Sequence, residues 1–177
     1  MGEHVKKQMI TRKSYFYIIL VIFSSLLFYS SSAISEKPKR LKDLAGWDKR
    51  AAIVQTQENE IIEFRVLIAQ SNKQRRQGLM HIESMEEDQG MLFIFDPNRK
   101  VSMWMSNTPM TLDMLFIDKN GKIINIAKNT TPYSTKGISS GGSINWVLEI
   151  NGGLTDQLNI KSGDHVRLGS IKAHDEE

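Results

Sequence analysis

The chain opens with an apolar block and then changes character. From Tyr15 to Tyr29 (YFYIILVIFSSLLFY) nearly every residue is apolar; Lys6, Lys7, Arg12 and Lys13 precede the block, and Ser31-Ser32-Ala33 come after it. A basic segment, a short apolar segment and a small-x-small site in that order predict a secretory signal over residues 1–33. The alternative is a retained membrane anchor over residues 14–33, although Ser24 and Ser25 interrupt a run already shorter than the roughly 20 residues a span needs. Residues 34–50 are polar and charge-dense and predict a linker, with Trp47 placed to dock back onto the domain. A single β-rich domain is expected over 51–170, with a solvated tail over 171–177.

Within 51–170 the pattern is one of short apolar runs broken by turn residues. Ile62, Phe64, Val66 and Ile68 alternate with Glu63, Arg65 and Leu67, the period of a strand. Further runs at 90–95, 101–105, 112–118, 122–127, 144–150 and 165–169 predict more strands. Asn120-Gly121 tolerates the positive φ angles of a type I′ turn and predicts an antiparallel hairpin between 112–118 and 122–127. Ser71 followed by Gln74 forms a capping box and Gly78 a stop, which predicts a helix over 72–77. A second short helix is expected near 153–159, with Leu154 and Leu158 on one face. The expected fold is mainly β: an antiparallel β-sandwich or partly open barrel, jelly-roll-like, with two short helices.

Charge changes the picture once the signal is set apart. The chain has 23 basic and 20 acidic residues, and four basic and one acidic lie before residue 34, leaving 19 of each. The mature chain is therefore formally neutral, which removes the premise for nucleic acid as a partner. There is no cysteine, so disulfides, thiolate metal sites, thiol nucleophiles and attachment of a lipid to an N-terminal cysteine are all excluded.

Several short motifs stand in a distinctive order: Gly78-Leu79-Met80, Gly90-Met91-Leu92-Phe93, Trp104-Met105-x-Asn107-Thr108, Leu112-Asp113-Met114, Val147-Leu148-Glu149-Ile150-Asn151 and Gly163-Asp164-x-Val166. Over residues 52–168 this order resembles the domain-of-unknown-function family 192. The resemblance implies a compact β-rich fold of jelly-roll type, commonly exported, and carries over no activity and no catalytic residue. Pro109-Met110-Thr111 stands where the family usually has an isoleucine-proline pairing.

The residues offer several chemistries, most of them with a plainer explanation. Gly137-Ile138-Ser139-Ser140-Gly141 matches the G-x-S-x-G pattern, but no helix comes after it to build an oxyanion hole, so a loop is expected. Asp118-x-Asn120-Gly121 lacks the later ligands of a calcium loop. His81, His165 and His174 lack metal-ligand spacing, and no metal or cofactor is expected. Seven methionines from Met80 to Met114 form a soft-ligand cluster suited to Cu(I), or ordinary core filling.

The most suggestive constellation is Trp104, Asn107, Thr108, Asp113, Tyr133 and Glu149. An aromatic platform beside amide, hydroxyl and carboxyl groups suits a small polar ligand, sugars included. Glu149 lies in an apolar strand, where burial would raise its pKa. The plainer reading is that Asn107, Thr108 and Asp113 bond the backbone around Pro109 while Trp104 closes one end of the core. The leading expectation is non-catalytic binding of a small polar ligand or an envelope partner in the extracytoplasmic space. Two alternatives stand beside it. One is a carboxylate-dependent hydrolase in which Asp113 and Glu149 share one cleft, and the other is Cu(I) handling by at least three converging sulfurs.

Overall fold

Period-2 patterning builds nine strands in the computed structural model, which describes residues 39–44 and 46–171. The export segment expected over 1–33 and the tail from residue 172 lie outside these described residues. The strands are β1 (Lys49–Gln55), β2 (Ile61–Ala69), β3 (Gln89–Arg99), β4 (Ser102–Met103), β5 (Leu112–Ile117), β6 (Ile123–Ala127), β7 (Ile138–Ser139), β8 (Ile144–Asn151) and β9 (His165–Gly169). Helix α1 (Asn72–Gln77) comes after β2, and α2 (Leu154–Gln157) after β8. Both fall where the sequence predicts them. Ser71 and Gln74 form the capping box reciprocally, the Gln74 N–H donating to Ser71 Oγ at 3.2 Å and the Ser71 N–H to Gln74 Oε1 at 2.9 Å.

Seven strands form one sheet in the order β6-β5-β8-β3-β2-β1-β9, and β4 pairs with β7 as a separate ribbon. The pairs are antiparallel except β2 with β3, where Val66 lies opposite Gly90 in parallel register. The parallel pair results from the crossover through α1, which returns the chain to the same end of the sheet before β3 begins. The sheet curls until its edges touch. The Val166 N–H donates to the Gly121 carbonyl at 2.7 Å, the Ile123 N–H donates to the Asp164 carbonyl at 2.8 Å, and Lys122 bridges His165. Backbone groups at the two edges are thereby satisfied by each other, which is how a curled sheet hides edges that would otherwise pair with another chain.

The hairpin between β5 and β6 forms, with a different turn from the type I′ turn expected. Only Gly121 has a positive φ, at 82°, and Asn120 does not. Asp118 explains the change: its Oδ1 accepts the N–H groups of Asn120 (2.8 Å) and Lys122 (2.9 Å), so the side chain holds the loop and glycine alone takes the left-handed step.

Alternation divides the apolar residues between the two sides of the sheet. Phe64, Leu92, Leu115, Leu148 and Ile150 pack together with Ile123 and Val166 from the two edges, inside the curl. Met91, Phe93, Met114, Phe116 and Val147 pack on the other side under Leu79, Ile82 and Met105. The charge-dense stretch expected as a linker also enters this second cluster: Leu41 and Leu44 are buried in it and Trp47 packs against it. Amphipathic spacing hidden among the lysines therefore adds a short 3-10 turn (Leu41–Asp43) ahead of β1. Among the described residues no helix is long and apolar enough to cross a membrane.

Candidate functional site

Strand register decides where the acidic residues go. Glu149 on β8 lies opposite Met91 of β3 and Met114 of β5, on the face covered by α1 and the loops. Only 3% of it is exposed, and among the described residues no protein group hydrogen-bonds its carboxyl. Burial among apolar neighbours disfavours the charged form and pushes its pKa from 4.5 up to about 8. At neutral pH the group is chiefly a neutral carboxylic acid, able to donate as well as accept a hydrogen bond.

A narrow cleft of about 30 Å³ opens over this carboxyl. Trp104, Ser106 and Thr108 form one wall, Arg75, Arg76 and Met80 the other, and Glu149 lies on the floor. Beside it, sharing Arg75, Arg76 and Trp104, is a more open hollow of about 330 Å³ that also takes in Asn72, Phe95 and Arg99. Arg75 is held from several sides: it donates to the Ile94 carbonyl at 2.8 Å, to Asn72 Oδ1 at 2.5 Å and to the Gln70 carbonyl. Its guanidinium lies 5.5 Å from the centre of the Phe95 ring, and that of Arg99 lies 5.3 Å from the same ring. Arg76 and Arg99 are at the surface, and among the described residues neither they nor Arg75 pair with a carboxylate.

The predicted site residues separate into three groups. Trp104, Thr108 and Glu149 line the cleft together. Trp104 remains 55% exposed, because the strand expected over 101–105 pairs only at Ser102 and Met103 and then releases the chain. Asn107 and Tyr133 shape the wall without lining it. Asn107 adopts φ 55° and its carbonyl accepts the His81 N–H at 2.7 Å; Tyr133 adopts φ 58° and its N–H donates to the Thr108 carbonyl at 3.0 Å. Among the described residues the two exposed aromatics, Trp104 and Tyr133, thus belong to one pair of hydrogen-bonded loops.

Asp113 is elsewhere. It pairs with Ile150 on the inner face of the curl, fully buried, and accepts the N–H of Asn129 (2.7 Å), the N–H of Thr155 (2.9 Å) and the Thr155 hydroxyl (2.6 Å). Its work is to tie the start of α2 and the turn after β6 to the sheet. An acid/base pair of Asp113 and Glu149 is therefore ruled out by register: consecutive positions on paired strands point to opposite faces.

The other chemistries part in the same way. Met91, Met105 and Met114 are fully buried, Met80 and Met103 border the cleft, and Met85 and Met110 line a different hollow. Each of these two places has two methionines in its lining, against the three converging sulfurs that Cu(I) handling requires. Ser139 of the G-x-S-x-G motif sits exposed in β7, with Oγ accepting the Gly141 N–H at 3.2 Å; Ile138 and Ser139 form a two-residue strand paired with β4, and the rest of the motif is loop. No cluster of three histidine, aspartate or glutamate side chains that could hold a metal ion occurs among the described residues.

The arginines are what sequence patterning does not single out. Their signal was legible: Arg75 and Arg76 have no acidic residue three or four positions away on either side, so helix α1 offers them no partner. Arg99 gave no such signal, since it reaches the hollow only through the end of β3.

Comparison with known proteins places this architecture. The family model DUF192, described as "Uncharacterized ACR", matches residues 52–168. A solved structure from Sinorhizobium meliloti 1021, provisionally described as a transcription regulator, is 38% identical with a TM-score of 0.68, over 69% of this chain and 95% of that one. A protein of unknown function from Novosphingobium aromaticivorans DSM 12444 is 31% identical with a TM-score of 0.68, over 75% of this chain and 94% of that one. Curated proteins give no match. The chain belongs to the DUF192 family.

Proposed function

We propose that this domain is exported and binds a small polar ligand, without catalysis, in the hollow beside Trp104, with one polar group entering the narrow cleft over Glu149. The observation that carries this reading is a carboxyl group almost wholly buried, with no protein hydrogen bond among the described residues, at the foot of an exposed indole. A ligand that bonds Glu149 takes the place of solvent at the carboxyl, and Trp104 supplies the apolar surface against which such a ligand desolvates. Export rests on the basic, apolar and small-residue order of residues 1–33. A transcriptional role of the kind given for the S. meliloti relative lacks electrostatic support, since the chain after residue 33 has as many acidic as basic residues.

Two measurements test the reading. Tryptophan fluorescence and thermal shift against a panel of sugars, amino acids and small organic acids should find a ligand whose signal disappears in Trp104→Ala. A folded sample that responds to none of them overturns the binding reading. For export, the mass of the protein recovered from outside the cytoplasm should lack about 33 residues; a full-length, cytoplasmic product overturns it.

A further inference from the structure

We infer that the ligand of this cleft is an acidic saccharide, its ring stacked on Trp104 and its carboxylate or phosphate held by Arg76 and Arg99. The inference rests on the cleft being a ligand site and names what that site selects.

The cations come first. Arg75, Arg76 and Arg99 line one hollow, and no carboxylate pairs with any of them among the described residues. Like charges gathered at one rim repel, and an anion placed between them relieves that repulsion while gaining charge-assisted hydrogen bonds. The three are not equivalent. Arg75 spends its donors on Gln70, Ile94 and Asn72 and positions the helix. Among the described residues Arg76 donates to no protein group, and Arg99 contacts only the face of Phe95, so these two are free to bind an anion.

The rest of the lining describes what is attached to the anion. Trp104 borders both the hollow and the cleft, and more than half of its surface is open. A flat indole of this kind matches the C–H face of a pyranose, a ring that is apolar on its face and polar around its edge. Ser106, Thr108 and Glu149 line the narrow cleft of about 30 Å³ on the other side of the indole, which has room for a single hydroxyl of the sugar. Because burial keeps Glu149 protonated near neutral pH, the floor presents no negative charge to repel the ligand's own. The hollow of about 330 Å³ suits one or two sugar units rather than a long polymer. Neutrality of the mature chain makes the attraction local to these arginines.

The test is calorimetric titration of the full chain with four probes: a glucuronic acid disaccharide, glucose 1-phosphate, a neutral glucose disaccharide and inorganic phosphate. At least one acidic sugar should bind about tenfold or more tightly than the neutral sugar, the value of one charge-assisted contact. The tighter of the two acidic sugars identifies carboxylate or phosphate as the anionic group. Arg76→Gln and Arg99→Gln, both at surface positions, should each lower that affinity about tenfold and lower neutral-sugar binding by much less. Equal affinity for neutral and acidic sugars overturns the inference and leaves the cleft reading standing. So does inorganic phosphate binding as tightly as the sugar phosphate, or an amino acid displacing every sugar. If no small polar compound binds at all, the cleft reading itself fails.

Discussion

Asp113 and Glu149 stand one register step apart on adjacent strands, so their carboxyl groups face opposite sides of the same sheet. One is saturated by three hydrogen bonds and anchors the fold. The other has none among the described residues and faces a narrow cleft. Two buried acids with such different surroundings behave differently under perturbation.

Glu149 ties stability to pH. Its folded pKa of about 8 exceeds the ordinary 4.5, so the folded state holds the proton more tightly than the unfolded state does. Its contribution is fully present below about pH 4.5 and declines as pH rises through about 8. Urea denaturation at pH 5, 7 and 9 should show stability decreasing across that window, and Glu149→Gln should flatten the decrease. The same slope in wild type and variant would contradict this.

Removing Asp113 should damage the fold and spare the cleft. Asp113→Ala leaves the buried Thr155 N–H and hydroxyl without an acceptor and frees the Asn129 turn, at a cost of about 3 kcal/mol or more. Thr155→Ala should cost about 1–2 kcal/mol, since the backbone bond to Asp113 survives. Chemical denaturation gives both values; ligand affinity measured on the folded protein should not change with either.

Trp104 should behave in the opposite way. It is 55% exposed, so Trp104→Ala should move stability by no more than about 0.5 kcal/mol while ligand binding is lost. A large fall in melting temperature would mean that the indole is a structural cover for the core.

Closure of the curl depends on Gly121. A Cβ there would lie 2.5 Å from the Val166 carbonyl oxygen, and φ is 82°. Gly121→Ala should cost about 1–3 kcal/mol. Hydrogen exchange should speed up first at the Val166 and Ile123 amides, which bridge the two edges. Unchanged protection there would show that the edges hold without the contact.

Local patterning carried most of the fold. The alternation in β2, the capping box of α1 and the Asn120-Gly121 hairpin are each written within a few residues, and each forms where those residues predict it. The chain alone also established the neutral charge balance after residue 33 and the lack of any thiol. Part of the site was legible too: Trp104, Thr108 and Glu149 do share a cleft. Tertiary structure decided the rest. A carboxylate in an apolar run reads the same whether it bonds three donors or none, and only the pairing of β5 with β8 sends Asp113 and Glu149 to opposite faces. Likewise only the packing of α1 beside the end of β3 brings Arg76 and Arg99, 23 positions apart in the chain, to one hollow. Backbone periodicity is a local property; which side chains meet across strands depends on register and curl, and those are set by contacts distant in sequence.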